Sequence, residues 1–284
     1  MKVKILVTGA TGQLGYDVCR VLLQREFEHI GVGTAAFDIT NKESTQAFIE
    51  NYHPDAVIHC AAYTKVDLAE DEAERCMRVN AEGTRNVALA CRECGAKMMY
   101  ISTDYVFPGT GSTPWETDAP TEPLNVYGHS KLAGEQAVQE LLERYFIVRT
   151  SWIIGEHGSN FVKTMLRLAE NHDRLRVVND QIGSPTFTAD LAPLLCRMLE
   201  TEKYGVYHAT NEGFCSWAEL AEAVFRLSGK EVAVEHVSTE EYGAKALRPK
   251  NSRLSKMSLD EKGFKRIPGW ETSLERFLKE GRLS

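Results

Sequence analysis

The chain has 284 residues, 43% of them hydrophobic and 26% charged, with a formal net charge of −7. Such a composition predicts a packed core of one large domain, or one and a half. No apolar run approaches the ~18 residues a membrane-spanning helix needs, and the acidic balance argues against a nucleic-acid partner held through phosphates.

KVKILVT opens as a buried strand, and QLGYDVCRVLLQ follows as an amphipathic helix. HIGVG reads as a short strand, KESTQAFIENY as a helix and DAVIHCA as a strand ending in small residues. RCMRVNAEGTRNVALACREC has apolar residues at helical spacing over about five turns. Its Cys91 and Cys94 form an isolated C-x-x-C without the second pair a zinc site needs, so Gly95 is read as the helix cap and the thiols as reduced. AKMMYIST is the next strand, VYGHSKLAGEQAVQELLE the next helix and YFIVRTSWI a further strand. Strands alternating with helices predict an α/β fold with a doubly wound parallel sheet of the Rossmann type.

Beyond Trp152 the alternation weakens. HGSNFVKTMLRLAE, FTADLAPLLCRMLE and CSWAELAEAVFRLSG read as helices, and LRVVND and YGVYHAT as short strands. Residues 1–150 are therefore read as a dinucleotide-binding domain. Residues 151–284 are read mainly as a smaller mixed α/β substrate-binding lobe, with some segments returning to the first domain. The seven scattered cysteines and the lack of an evident secretory signal predict a cytoplasmic protein.

The first strand ends in TGATGQLG, which places Gly9, Gly12 and Gly15 at G-x-x-G-x-x-G spacing before a helix. A backbone that approaches a diphosphate has no room for Cβ, and the helix start offers free N–H groups to the phosphates. A dinucleotide is the expected ligand. The second strand carries no acid at its expected end, around Gly33 and Thr34, so a ribose 2′-phosphate meets no fixed negative charge there. NADPH is the predicted cofactor, with NADH tolerated. Arg20 is a candidate neighbour of the 2′-phosphate, and Asp38 and Ile39 are placed for the adenine edge. Ala61 and Ala62, small residues ending the third strand, lie where such a sheet binds its ligand.

YISTDYVFPG puts Ser102, Thr103 and Asp104 at the end of the fourth strand, on the same edge as the glycine loop. A loop from Phe107 to Asn125 then leads to Tyr127 and Lys131, one helical turn apart on one face. Hydride addition to a carbonyl leaves negative charge on oxygen, and a proton must arrive there. A tyrosine, protonated at neutral pH, serves as the acid. The Lys131 ammonium is expected to stabilise the phenolate, lower the tyrosine pKa and orient the nicotinamide ribose. The Thr103 hydroxyl is expected to hold the substrate oxygen.

These residues resemble the extended short-chain dehydrogenase/reductase superfamily. TGQLG, AAYTKVDLAE, STDYVFPG, PLNVYGHSKLAGE, RTSWIIG, NFVKTMLRLA, VVNDQIGSPT and RPKNSRL are similar, more narrowly, to the dTDP-4-dehydrorhamnose reductases, up to about Leu254. The resemblance implies NADPH-dependent reduction of the C4 ketone of dTDP-4-dehydro-L-rhamnose, with Tyr127 as proton donor and Lys131 and Thr103 beside it. It implies cofactor contacts from Gly12, Gln13, Leu14, Asp38, Ile39, Ala62, Tyr63 and Thr64. Sugar contacts are implied for Thr103, Asp104 and Trp152. A nucleotide-sugar diphosphate needs a cation, and the run Arg248, Lys250, Arg253 and Lys256 offers several. The chain is expected to be a monomer or a homodimer. Some similar proteins dimerise through a divalent cation held by acids. Asp17 and Asp190 are the equivalents here, but Asp is shorter than the Glu of that pattern, which argues against a metal. Two alternatives stand beside the reductase: a regulatory subunit that binds NADP(H) without turnover, and a nucleotide-sugar epimerase that retains NAD.

Overall fold

The computed structural model describes residues 3–280. Strand β1 (Lys4–Thr8) is followed by α1 (Gln13–Gln24), β2 (Glu28–Val32), α2 (Lys42–Tyr52), β3 (Ala56–His59) and two short helices, α3 (Val66–Ala69) and α4 (Ala73–Met77). A π turn, Arg78–Gly83, runs straight into α5 (Thr84–Cys94). Next come β4 (Lys97–Thr103), a 3₁₀ turn at Asp104–Val106, α6 (Val126–Leu141) and β5 (Tyr145–Thr150). The remainder comprises β6 (Ile153–Ile154), α7 (Phe161–Leu168), β7 (Arg174–Val178), β8 (Ile182–Gly183), β9 (Thr186–Phe187), α8 (Thr188–Leu199), β10 (Gly205–His208), β11 (Cys215–Ser216), α9 (Trp217–Ser228), β12 (Ala233–Val237), α10 (Thr239–Tyr242), α11 (Met257–Glu261) and α12 (Trp270–Glu280).

Six strands form one sheet in the order β10-β5-β4-β3-β1-β2, and every neighbouring pair is parallel. The central strands are buried on both faces, which explains their unbroken apolar runs: Ile5, Leu6 and Val7 on β1, and Val57 and Ile58 on β3. One face packs against α1 and α8 through Val18, Leu22, Leu191 and Leu195. The other packs against α2, α5 and α6 through Ile49, Val87 and Val138. Both α8 and β10 come from beyond Trp152, so the later part of the chain completes the sheet and one of its covering layers. The chain leaves β1 for β2 on one side and reaches β3 on the other. Between β1 and β3 the strand order reverses, and a crevice opens there beyond the strand ends.

The later segments also build a separate core, in which β7 pairs with β12, β8 with β11 and β6 with β9. Helices α7, α9 and α12 close over them around Val162, Phe187, Val224 and Leu274. No described helix is long and apolar enough to cross a membrane.

The helix expected from Arg75 to Cys94 is interrupted by the π turn, which adds a residue and turns Asn80 inward. Its Oδ1 accepts from Tyr63 N at 2.7 Å, and its Nδ2 donates to Tyr63 O at 3.0 Å and to Ser130 Oγ at 2.9 Å. The end of α5 is as anticipated: Gly95 takes the left-handed conformation (φ 72°), and Cys91 and Cys94 are free thiols.

Candidate active site

A cleft of about 660 Å³ lies over the β1/β3 crevice. Its floor is the glycine loop. Gly9 has φ 68°, and a Cβ there would lie 2.6 Å from Ala61 N; one at Gly15 would lie 2.3 Å from Gly9 O. Both glycines therefore serve close packing of α1 and the β3 end onto the loop. Gly12 differs, since a Cβ there meets only Gly9 O, at 3.3 Å, and otherwise faces the cleft. Gly12 is also the N-cap of α1 and supplies no capping side chain, so the first N–H groups of that 12-residue helix stay available to an anion. The cradle fits a diphosphate.

The opposite wall is polar. Thr103, at the end of β4, caps the 3₁₀ turn: its Oγ1 accepts from Tyr105 N at 3.2 Å and donates to Asp104 Oδ1 at 3.0 Å. Asn125 caps α6, with Oδ1 accepting from Gly128 N at 2.8 Å, and so sets the register that brings Tyr127 and Lys131 to the cleft. A Cβ at Gly128 would lie 2.4 Å from Tyr105 O, so the helix start presses directly on the 3₁₀ turn. Tyr127 packs edge-on against Tyr105, with ring centroids 5.5 Å apart. Lys131 Nζ donates to Ile101 O at 2.7 Å.

Burial governs the charges here. It pushes the Tyr127 phenol well above its ordinary value, with the adjacent Thr103 hydroxyl opposing and Asp104 adding to the rise. It also brings the Lys131 ammonium down to about 7, with Glu135 opposing. The expected lowering of the tyrosine by the lysine is thus absent from the folded chain by itself, because burial dominates and Lys131 is not among the groups that shift the phenol. Burial likewise raises the Asp104 carboxyl to about 6, opposed by the nearby Ser252 and Thr103 hydroxyls. Among the described residues, Ser102 Oγ, Asp104 Oδ2 and Thr150 Oγ1 are buried without a partner, and all three residues line the cleft. An unsatisfied buried polar atom costs about 1–3 kcal/mol, so three in one cleft mark a place for a polar ligand.

The third wall is aromatic. Trp152 and Trp217 both line the cleft and stack with centroids 3.6 Å apart and planes at 14°. Gln13 joins this wall to the glycine loop: its Oε1 accepts from Gly155 N at 2.9 Å and Asn160 Nδ2 at 3.0 Å.

The RmlD substrate binding domain matches residues 3–283. The chain belongs to this family, that of the dTDP-4-dehydrorhamnose reductases. It is 41% identical over 276 residues to the dTDP-4-dehydrorhamnose reductase of Streptomyces griseus, covering 95% of this chain and 91% of that relative. It is 43% identical to the spore coat polysaccharide biosynthesis protein SpsK of Bacillus subtilis (strain 168), covering 98% and 97% of the two chains. The crystal structure of dTDP-4-dehydrorhamnose reductase from Bacillus anthracis str. Ames in complex with NADP superposes with a TM-score of 0.96, at 47% identity, over 99% of this chain and 100% of that one. Like these dTDP-4-dehydrorhamnose reductases, the chain is an NAD(P)H-dependent oxidoreductase.

Most positions that the sequence singles out, by motif or by family resemblance, meet at the cleft: Gly9, Gly12, Gln13, Leu14, Gly15, Asp38, Ile39, Ala61, Ala62, Thr64, Thr103, Asp104, Tyr127, Lys131 and Trp152. Tyr63 does not line it. Its ring is buried beside Cys76 and Ala69, and its hydroxyl donates to Glu72 Oε2 at 3.0 Å. Arg20 does not line the cleft, and it pairs with Asp17 at 3.2 Å and with Glu156 at 3.3 Å. The basic run is already engaged away from the cleft lining. Arg248 pairs bidentately with Asp67, Lys250 lies 3.1 Å from Asp180, Arg253 donates to Asn251 Oδ1, and buried Lys256 approaches Glu212. The two acids weighed for a dimer metal also spend their oxygens internally. Asp17 accepts from Thr188 and Arg20; Asp190 accepts from Asn211, Ser273 and Arg276. No group of three or more His, Cys, Asp or Glu suited to a metal occurs among the described residues. Cleft residues that were not singled out from the sequence include Thr11, Phe37, Thr150, Asn160 and Trp217.

Proposed function

We propose that this chain reduces the C4 ketone of dTDP-4-dehydro-L-rhamnose to give dTDP-L-rhamnose, with NADPH preferred over NADH. Residues 1–150 hold the dinucleotide, and 151–284 mainly supply the sugar wall while contributing β10 and α8 to the sheet. The observation that carries the reading is the meeting of Thr103, Tyr127 and Lys131 with an uncapped glycine loop in one cleft.

Gly12 and the α1 start take the diphosphate, Asp38 and Ile39 the adenine edge, and Ala61, Ala62 and Thr64 the far side of the dinucleotide. Gly33 and Thr34 bring no negative charge to the ribose, which is why the 2′-phosphate is accommodated. Bound NADPH supplies the hydride. Tyr127, kept protonated by burial, gives its phenolic proton to the substrate O4. Thr103 donates a hydrogen bond to that oxygen as charge develops. Lys131 then holds the phenolate. Asp104 accepts from a sugar hydroxyl, and Trp152 lines the hexose pocket. The protein works in the cytoplasm as a monomer or homodimer and needs no metal.

The test is direct: incubate purified protein with NADPH and the dTDP-4-keto-L-sugar, and follow loss of reduced-cofactor absorbance. Consumption of NADPH with formation of the 4-hydroxy sugar is expected. Bound NADPH without consumption would point instead to the binding-only reading.

A further inference from the structure

Thr8, His59 and Tyr100 form a row across the sheet. Thr8 faces His59 in the β1/β3 register, and His59 faces Tyr100 in the β3/β4 register, so the three side chains leave the same face of neighbouring strands. Thr8 directly precedes Gly9 and roots the glycine loop. Tyr100 carries the Lys131 ammonium over its ring, 4.0 Å from the centroid. His59 is the middle member of the row and is fully buried.

The hydrogens of this row have one consistent placement. Thr84 Oγ1 donates its single hydrogen to Asn80 O at 2.7 Å. It can therefore only accept from His59 Nε2, 3.2 Å away, so that nitrogen carries the ring hydrogen. Nδ1 is then a bare acceptor, and Thr8 Oγ1 donates to it at 2.7 Å. Thr8 Oγ1 in turn accepts from Ala61 N at 3.4 Å. Burial, with Lys131 adding, brings the imidazole down to about 3 and so keeps it neutral.

These contacts fix two groups that lie beneath α6. Thr84 holds Asn80 O, and the Tyr100 ring stacks on the imidazole with planes at 20°. Gly134, three residues after Lys131, packs on both: a Cβ there would collide with the Tyr100 hydroxyl and lie 2.7 Å from Asn80 O. The turn of α6 that presents Lys131 thus rests on a surface whose position His59 sets. A leucine would fill a similar volume with no polar atom to desolvate. What the imidazole adds is direction, because each of its hydrogen bonds fits a narrow geometry.

We infer that His59 is a positioning residue for the reduction: as a neutral imidazole with its hydrogen on Nε2, it ties the support of Lys131, formed by Tyr100 and Asn80 O, to Thr8 at the root of the glycine loop. This rests on the reductase reading above. His59 does not line the cleft, so it acts through Tyr100 and Thr84 rather than on cofactor or substrate. The row holds the ammonium in a set relation to the loop that takes the dinucleotide, and a small displacement of such a group slows the chemical step without loosening either ligand.

The experiment loads wild type, His59→Leu, His59→Gln, His59→Asn and Thr84→Val with one equivalent of NADPH, mixes each with excess dTDP-4-keto-L-sugar and follows the single turnover by absorbance. Amplitude counts folded, active sites, and rate reports the chemistry. Steady-state kcat and KM and the NADPH Kd are measured beside it. His59→Leu should lower the single-turnover rate and kcat by about tenfold at full amplitude, with KM and Kd near wild type. Thr84→Val removes one hydroxyl, keeps the shape and should lower the rate in the same way. His59→Gln places an amide N–H near the Nε2 position and should stay closer to wild type than His59→Asn, whose shorter side chain reaches only Thr8. A reduced amplitude with a wild-type rate in the remaining sites would make His59 a stability residue and overturn the inference. So would a His59→Asn rate at or above that of His59→Gln, since the tie would not run through Thr84. Should His59→Leu fail to fold, Thr84→Val decides, and a wild-type rate there overturns the inference. Wild type that binds NADPH and never consumes it would instead refute the reductase reading.

Discussion

Lys131 Nζ stands 4.0 Å from the centre of the Tyr100 ring. The tyrosine is fully buried, its hydroxyl donates to Lys131 O at 3.2 Å, and it stacks on His59 with centroids 5.8 Å apart. The ammonium thus rests on a π face and a backbone carbonyl rather than on a carboxylate, consistent with its fall to about 7. Removing the ring face lowers the ammonium further, because the face favours the charged form by about 0.5–2 kcal/mol. Since Lys131 must be charged to hold the phenolate, the alkaline fall in activity should move to lower pH in Tyr100→Leu, by up to about 1.5 units. Tyr100→Phe keeps the face and should keep the profile. pH–rate profiles of the two variants check this.

The three loop glycines should separate by assay. Gly12→Ala meets no backbone closer than 3.3 Å, so it should fold normally, while its methyl group intrudes on the diphosphate and weakens NADPH by about tenfold or more. Gly15→Ala meets Gly9 O at 2.3 Å and should lower thermal stability as well as cofactor affinity. Thermal melts paired with NADPH titrations distinguish them.

Asp104 predicts an acid limb. Its folded carboxyl is raised to about 6 from the ordinary 3.8, so it becomes a neutral acid as pH falls through 6 and loses its strength as an acceptor. The kcat/KM for the sugar nucleotide should fall below that pH, and Asp104→Asn should lack the limb while showing a raised KM throughout. The linkage to folding has the opposite sense. The native state binds this proton more tightly than the unfolded chain, so the stabilising contribution is full below 3.8 and is lost as pH rises through about 6.

Glu135 and Arg149 form a buried bidentate pair at 2.9 and 2.7 Å, joining α6 to β5, and Arg149 Nη1 also donates to Thr117 O at 3.0 Å. Glu135→Gln strands the guanidinium in a dry site and should destabilise the protein by roughly 3–5 kcal/mol in denaturant melts. The double replacement with apolar residues of similar volume should recover much of that loss.

The doubly wound sheet was legible because its strands are buried on both faces and so read as apolar runs between amphipathic helices. The glycine loop, the Ser102–Asp104 strand end and the Tyr127–Lys131 turn were legible because their chemistry sits in short contiguous motifs. What escaped lacks local signature. β12 reads AVEHV with most of its residues exposed or half-buried, so neither an apolar run nor a clean alternation marks it. The π turn depends on Asn80 reaching Tyr63 and Ser130, contacts that no spacing within the helix encodes. Trp217 opens a segment that reads only as an amphipathic helix, and its place in the cleft follows from tertiary packing against Trp152 and Phe161. Arg248 of RPKNSR looked free because its acid, Asp67, lies far away in sequence.

The measurement that bears most directly on the proposed chemistry is turnover and NADPH affinity in Tyr127→Phe, with the dTDP-4-keto-L-sugar as substrate. The ring and its packing on Tyr105 are retained, and only the hydroxyl that carries the proton is lost. The expected result is a kcat lower by about two orders of magnitude or more with an NADPH Kd close to wild type. Near-normal turnover in that variant would contradict the account, because the proton for O4 would then come from another group.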